Sequence, residues 1–165
     1  MKLQAQPLSA EAFAPFGEIV AQPKDAPIAS LAELDYWADV AALPDLGGPL
    51  GVGYAALKVC PMVQKSVERH MQTFEVLLPV GGDIVVVVGP ADYPSEPGRL
   101  PAPESFQAFR VPEGQAVILK AGVWHYAPFA VGGPMSLFVI YKAGTAQNDV
   151  TLVGLTPDRV MEVEL

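Results

Sequence analysis

Only two histidines occur among the 165 residues, and each stands in company that could do chemistry. The first lies in Glu68-Arg69-His70-Met71-Gln72-Thr73-Phe74-Glu75, the second at the end of Gly122-Val123-Trp124-His125. Imidazoles and carboxylates move protons near neutral pH and are ligands for divalent ions. Side chains alternate along a strand, so Glu68 and His70 share a face. A turn or bulge near Gln72 would bring Glu75 back to that face from the following strand. His125 comes directly after a Gly-containing turn. A lone buried histidine is often just a satisfied core residue, so a functional reading requires these positions to meet in space.

The spacing resembles that of the cupins. Their first motif carries His-x-His, then a Glu and a Gly; here Glu68-x-His70 is followed by Glu75 after four residues and Gly82 after six more. Glu68 stands where the first His would be. In the second motif Gly114, Gly122 and His125 match, while Lys120 replaces a Pro and Phe129 an Asn. The resemblance implies an all-β, cupin-type double-stranded β-helix, a jelly-roll barrel. It also implies that Glu68, His70, Glu75 and His125 line one barrel mouth. Two imidazoles and two carboxylates suit a divalent transition metal such as Mn, Fe, Ni or Zn.

A narrower likeness runs along nearly the whole chain. Leu8-Ser9-Ala10-Glu11-Ala12-Phe13-Ala14-Pro15-Phe16-Gly17-Glu18-Ile19-Val20 resembles the opening of the ureidoglycolate lyases. So do Glu68-Arg69-His70, Val123-Trp124-His125 with the nearby Pro128, and the closing Ala143–Val150 stretch with its Asp-Val end. That family too has Glu before the first His. The resemblance implies a carbon–nitrogen lyase of the amidine-lyase class, releasing urea and glyoxylate from ureidoglycolate in allantoin degradation, part of purine catabolism. It also implies a cytoplasmic homodimer. Glu68, His70 and His125 would be catalytic through the metal, and Glu75 would also face the substrate. Tyr141 could donate a hydrogen bond, Lys58 and Lys142 could hold a carboxylate, and Trp124 would wall the pocket. Charged positions depart from the family: Lys58 and Tyr141-Lys142 replace arginine-bearing segments, Glu75 stands where some members have Gln, and Asp35–Asp39 lacks the usual Arg and His. The alternatives are a cupin isomerase, lyase or dioxygenase acting on another small hydroxy- or keto-acid, or a metabolite-binding cupin without activity.

These residues need strands to position them, and the sequence from Gly51 onward reads as β. The strand candidates are 52–60, 66–71, 74–79, 83–89, 106–111, 116–120, 136–142 and 149–155, rich in Val, Ile, Leu, Phe and Tyr between Gly- and Pro-bearing turns. Gly81-Gly82-Asp83 suits a tight hairpin. Pro90 to Pro103 reads as a long surface loop, since strands resume on both sides. Near the start, Ser9 is a candidate N-cap, with Leu8 and Phe13 placed as a hydrophobic staple for a short helix ended by Pro15 and Gly17. Residues 31–46 read as a second short helix or an irregular cover.

The bulk composition sets the outer limits. One domain covering 1–165 is expected at this length. The chain is 51% hydrophobic and 17% charged, which excludes disorder. Its longest apolar runs, such as Ile84–Val88, are far too short to span a membrane. A net charge of −8 with no run of basic residues argues against nucleic acid and says little about substrate; a small anionic metabolite as partner is what the resemblance implies. Positive mean hydropathy fits a deeply buried sheet together with an apolar subunit interface. Cys60 is the only cysteine, so no intrachain disulfide forms, and it reads as a buried thiol. No apolar leader segment follows Met1, consistent with a cytoplasmic protein.

Overall fold

The structure is a computed structural model describing residues 1–165. In chain order its elements are β1 (Lys2–Pro7), α1 (Ala10–Phe13), β2 (Gly17–Val20), β3 (Ala29–Ser30), β4 (Asp35–Tyr36), β5 (Leu50–Leu57), β6 (Val63–Gln64), β7 (Ser66–Arg69) and β8 (Glu75–Val80). There follow β9 (Ile84–Val88), a 3-10 turn at Pro103–Ser105, β10 (Gln107–Val111), β11 (Ala116–Leu119), β12 (Phe129–Ala130), β13 (Met135–Lys142), α2 (Thr145–Asn148), β14 (Thr151–Gly154) and β15 (Met161–Glu164). One sheet runs β12-β9-β10-β1-β15-β6 and the facing one β2-β11-β8-β13-β5. The β7–β14 pair joins the first sheet through bridges from Glu68 to His125 and from Gly89 to Trp124. Two facing antiparallel-rich sheets closed this way are the jelly-roll barrel of the cupins.

The burial pattern explains why these segments hold as strands. All five residues of β9 are buried. Ile84, Val86 and Val88 enter the core between the sheets with Leu77, Phe109 and Leu137. Val85 and Val87 face the opposite way, onto Trp124, Phe106 and Met161. Burying each such valine or isoleucine is worth roughly 1.5–3 kcal/mol, and a strand covered on both faces reads as an unbroken apolar run. The outer face of the five-stranded sheet is covered in part by Ala41 and Leu46, which pack on Phe74, Val76 and Ile118.

The N-terminal helix forms where the sequence places it. Ser9 Oγ accepts from the Ala12 amide at 3.3 Å, and Phe13 and Phe16 pack on Phe109 in the core. Residues 31–46 contain no helix, only the second half of the small β3–β4 pair and irregular chain. The segment is too poor in helical periodicity to do more, and Pro44-Asp45 interrupts its end. Gly81, at φ +91°, does make a sharp turn, but β8 and β9 lie in different sheets. The turn therefore crosses the barrel rather than closing a hairpin. Strands β1, β2 and β15 are additions to the sequence reading; β1 pairs in parallel with both β10 and β15. Cys60 is exposed, because β5 ends at Leu57 and the chain leaves the core there.

Candidate metal centre

Glu68 and His70 stand on and just beyond β7, pointing into the barrel, while Arg69 between them points out the back. The backbone of Glu68 pairs with that of His125: the Glu68 amide donates to the His125 carbonyl at 2.6 Å and the reverse bond is 2.9 Å. The Gly122 amide holds the His70 carbonyl at 2.6 Å. The two sequence motifs are thus laced together by the main chain. One donor atom from each of Glu68, His70 and His125 lies within 4.8 Å of the others. The imidazole rings stand 5.2 Å apart between centroids at 60°.

Each ring is turned by its other nitrogen. His70 Nδ1 lies 2.6 Å from the Asp149 carbonyl, and His125 Nδ1 lies 2.9 Å from the Val123 carbonyl. A carbonyl can only accept, so both rings carry hydrogen on Nδ1 and present Nε2 to the cavity. This is the arrangement that orients a histidine ligand.

Glu75 opens β8 on the opposite sheet and enters from across the barrel. Its Oε2 is 2.6 Å from His125 Nε2 and 3.9 Å from His70 Nε2. The shorter contact is not aligned as a hydrogen bond, so both atoms are buried without a hydrogen-bond partner. Burial disfavours the Glu75 charge, but the His125 imidazole and then His70 outweigh it and hold the carboxyl below its ordinary value. Burial likewise works against charge on His125, yet Glu75, the Val123 carbonyl and Glu68 together push its pKa up. Buried, unpartnered imidazole nitrogen and carboxylate oxygen facing one another beside Glu68 and His70 fit a divalent ion of the Mn, Fe, Ni or Zn type.

The cavity in front of these groups, about 380 Å³, is lined by Glu68, His70, Glu75, Tyr141, Thr145 and neighbouring residues. A recess of about 160 Å³ continues it past His125, Leu77 and Pro128. Tyr141 lies along β5 because Gly53 leaves it room: a Cβ there would sit 3.0 Å from the phenol oxygen. The other expected pocket residues are elsewhere. Alternation turns Lys142 away from the cavity when Tyr141 faces in, and its amide donates to Thr73 Oγ1. Lys58 follows the inward-facing Leu57, is exposed, and borders a depression that adjoins the recess at Leu57, Tyr126 and Pro128, while lining neither the recess nor the cavity itself. No Lys or Arg lines the cavity.

Trp124 is fully buried behind the site instead of walling it. It stacks against Arg69, whose guanidinium carbon is 4.6 Å from the indole centroid. Arg69 is also fully buried and donates to the carbonyls of Asp92, Tyr93, Glu96 and Pro97 at 2.9–3.2 Å. Burial lowers its pKa. The residues that flank the two histidines thus brace one another from the rear and tie the 90–103 loop to the barrel. Strand alternation alone turns Arg69 to the back, where the proline-rich loop supplies the carbonyls; those of Tyr93 and Glu96 also accept from the Glu96 and Arg99 amides at 3.0 Å, so they serve two donors each.

A jelly-roll barrel whose mouth gathers two imidazoles and two carboxylates is the site of a cupin enzyme. The chain belongs to the ureidoglycolate lyase family, whose model matches residues 1–162. It is 31% identical over 159 residues to the ureidoglycolate lyase of Rhodobacter capsulatus, covering 89% of this chain and 90% of that protein. Identity to ureidoglycolate lyase 2 of Rhizobium meliloti is 31% over 153 residues, covering 88% and 89%. For the Azotobacter vinelandii ureidoglycolate lyase it is 28% over 157 residues, covering 88% of each. Among solved structures, Bacillus subtilis oxalate decarboxylase aligns at TM-score 0.44 and 16% identity, over 66% of this chain and 24% of its own.

Proposed function

We propose that this chain is a metal-dependent carbon–nitrogen lyase that cleaves ureidoglycolate into urea and glyoxylate. The observation that carries the reading is the pair of Nε2 atoms turned into one cavity beside Glu68, each fixed by a backbone carbonyl. Glu68, His70 and His125 would hold the ion, with Glu75 close enough to complete the set or to serve the substrate. A divalent ion there supplies positive charge for the carboxylate and hydroxyl oxygens of the substrate. Ureidoglycolate is a carbinolamine, so the reaction moves one proton from its hydroxyl to the ureido nitrogen. The O–H electron pair becomes the carbonyl bond of glyoxylate while the C–N bond breaks. Glu75, held ionised by its imidazole neighbours, accepts the hydroxyl proton and returns it to the departing nitrogen. The Tyr141 phenol, free in the cavity, donates to the ureido oxygen and orients it.

The absence of basic residues around the cavity gives the metal a second duty. An anionic substrate facing two carboxylates needs a cation, and the chain itself supplies none there. The same fact favours, as a second reading, a different small hydroxy- or keto-acid. The chain acts as one domain in a cytoplasmic homodimer. Leu50, Val52 and Tyr54 along the edge strand β5, with Phe138 beside them, support the dimer by leaving an apolar strip exposed. The test is to load the protein separately with Mn, Fe, Ni or Zn and measure metal content, urea and glyoxylate. Turnover that needs metal and is lost in Glu75→Gln is expected. Inert ureidoglycolate with every metal bound, beside fast turnover of another acid, would replace the substrate. Failure to take up any metal would remove the mechanism.

A further inference from the structure

We infer that Asp149 is a positioning residue that fixes His70 from a distance. Its carbonyl takes the His70 Nδ1 hydrogen at 2.6 Å, while its carboxylate accepts from the next two amides, Met71 at 2.9 Å and Gln72 at 2.7 Å. The residue therefore grips both the ring of His70 and the chain leaving it. His70 and Asp149 are 79 residues apart, so this grip is tertiary. His125 differs: its acceptor is the carbonyl of Val123, two residues away, and its ring orientation is locally secured.

The carboxylate matters because the carbonyl is only as fixed as the segment that bears it. Asp149 closes α2, its amide donating to the Thr145 carbonyl, and Thr145, Ala146 and Val150 line the cavity. The carboxylate bonds are what fasten this wall to the chain after β7. Met71 and Gln72 are exposed, so water can serve their amides if the carboxylate is removed. Losing it should therefore free the His70 ring without unfolding the barrel. The consequence for metal affinity rests on the metal-binding reading above; the ring orientation does not.

The test uses the full chain and its convenient pair of histidines. Long-range nitrogen–proton NMR, assigned with His70→Gln, reads the tautomer of each ring in wild type, Asp149→Asn and Asp149→Ala. Wild-type His70 should show hydrogen on Nδ1, the minor form of a free imidazole. In Asp149→Ala it should average between tautomers, with His125 unchanged. Asp149→Asn keeps one acceptor oxygen, so an intermediate His70 signal is expected, and it carries the test if the Ala variant does not fold. Competition titration with Zn²⁺ alone should show affinity falling about 10–100-fold in the Ala variant, the usual effect of losing an outer partner of a histidine ligand. A His70 signal identical to wild type in the variants overturns the inference. Equal disturbance of both rings overturns it too, because that would mark general loosening. If wild type binds no Zn²⁺, the metal reading falls while the tautomers still decide the role of Asp149.

Discussion

At the scale of single residues, the site depends on which way each side chain is turned. Tyr141 and Lys142 are neighbours on β13, yet only Tyr141 reaches the cavity, and Lys58 is carried outside by the end of β5. Neither lysine should therefore contribute to substrate binding. Steady-state kinetics of Lys58→Ala and Lys142→Ala should show kcat/KM within about twofold of wild type, under roughly 0.5 kcal/mol, as for surface changes away from a site. A tenfold rise in KM for either would return it to the site. The spacing of Glu68, His70, Glu75 and His125 was legible in the sequence because period-two alternation and two glycine turns predict directions. The places of Lys58 and Trp124 were not. For Lys58, strand ends are set by tertiary pairing; for Trp124, alternation from His125 does predict the opposite face, and what the sequence lacked was the buried Arg69 that it meets there.

Elements are joined here by charged groups set at their ends. Asp83, between the Gly81–Gly82 turn and β9, accepts from the Glu113 amide at 2.9 Å and from Arg110 Nε at 2.7 Å. Glu113 in turn accepts from the Gly81 amide at 2.7 Å. The hydrogen bond from the Glu113 amide, opposed by burial and helped by Arg110, lowers the Asp83 pKa below its ordinary 3.8. A depressed carboxyl stabilises the fold above its unfolded value, and that contribution disappears as pH falls through the folded value. Melting temperature against pH should thus fall below about pH 4, as in any carboxylate-braced fold. Asp83→Asn should flatten that limb and cost about 1 kcal/mol at pH 7 by urea unfolding. An unchanged acid limb would show that Asp83 contributes nothing to it. Arg69 does similar work for the long loop. Lysine cannot reproduce a planar fork reaching four carbonyls, so Arg69→Lys should cost about 3 kcal/mol and open residues 90–103 to protease. The loop itself was visible in its prolines; its fastening was not, because the partner lies 23–28 residues upstream. The sequence reading of the strands from Gly51 onward held to within a few residues. It passed over β1, β2, β6, β12 and β15; β1 and β15 do alternate, but these strands are short and their pairing comes from distant partners.

At the scale of the whole molecule, the exposed strip on β5 has a direct consequence for assembly. Val52 is 70% exposed and Tyr54 64%, on the last strand of the five-stranded sheet. An interface of ordinary size buries roughly 800 Å² per partner and would cover this strip. Light scattering should give about twice the 17.5 kDa chain mass, and Val52→Lys with Tyr54→Glu should return it to the monomer. A wild-type monomer at micromolar concentration would contradict the dimer. The place of β1 has another consequence, in time rather than space. It lies between β10 and β15 and pairs in parallel with both, so the strand nearest the start of the chain waits for the one nearest its end. During synthesis β1 can pair with β10 once residue 111 is made, but its other edge stays unpaired until Met161–Glu164 follows. Sheet closure is therefore a late, slow event governed by long-range contacts, and the growing chain spends that interval with an open β edge that another chain could occupy.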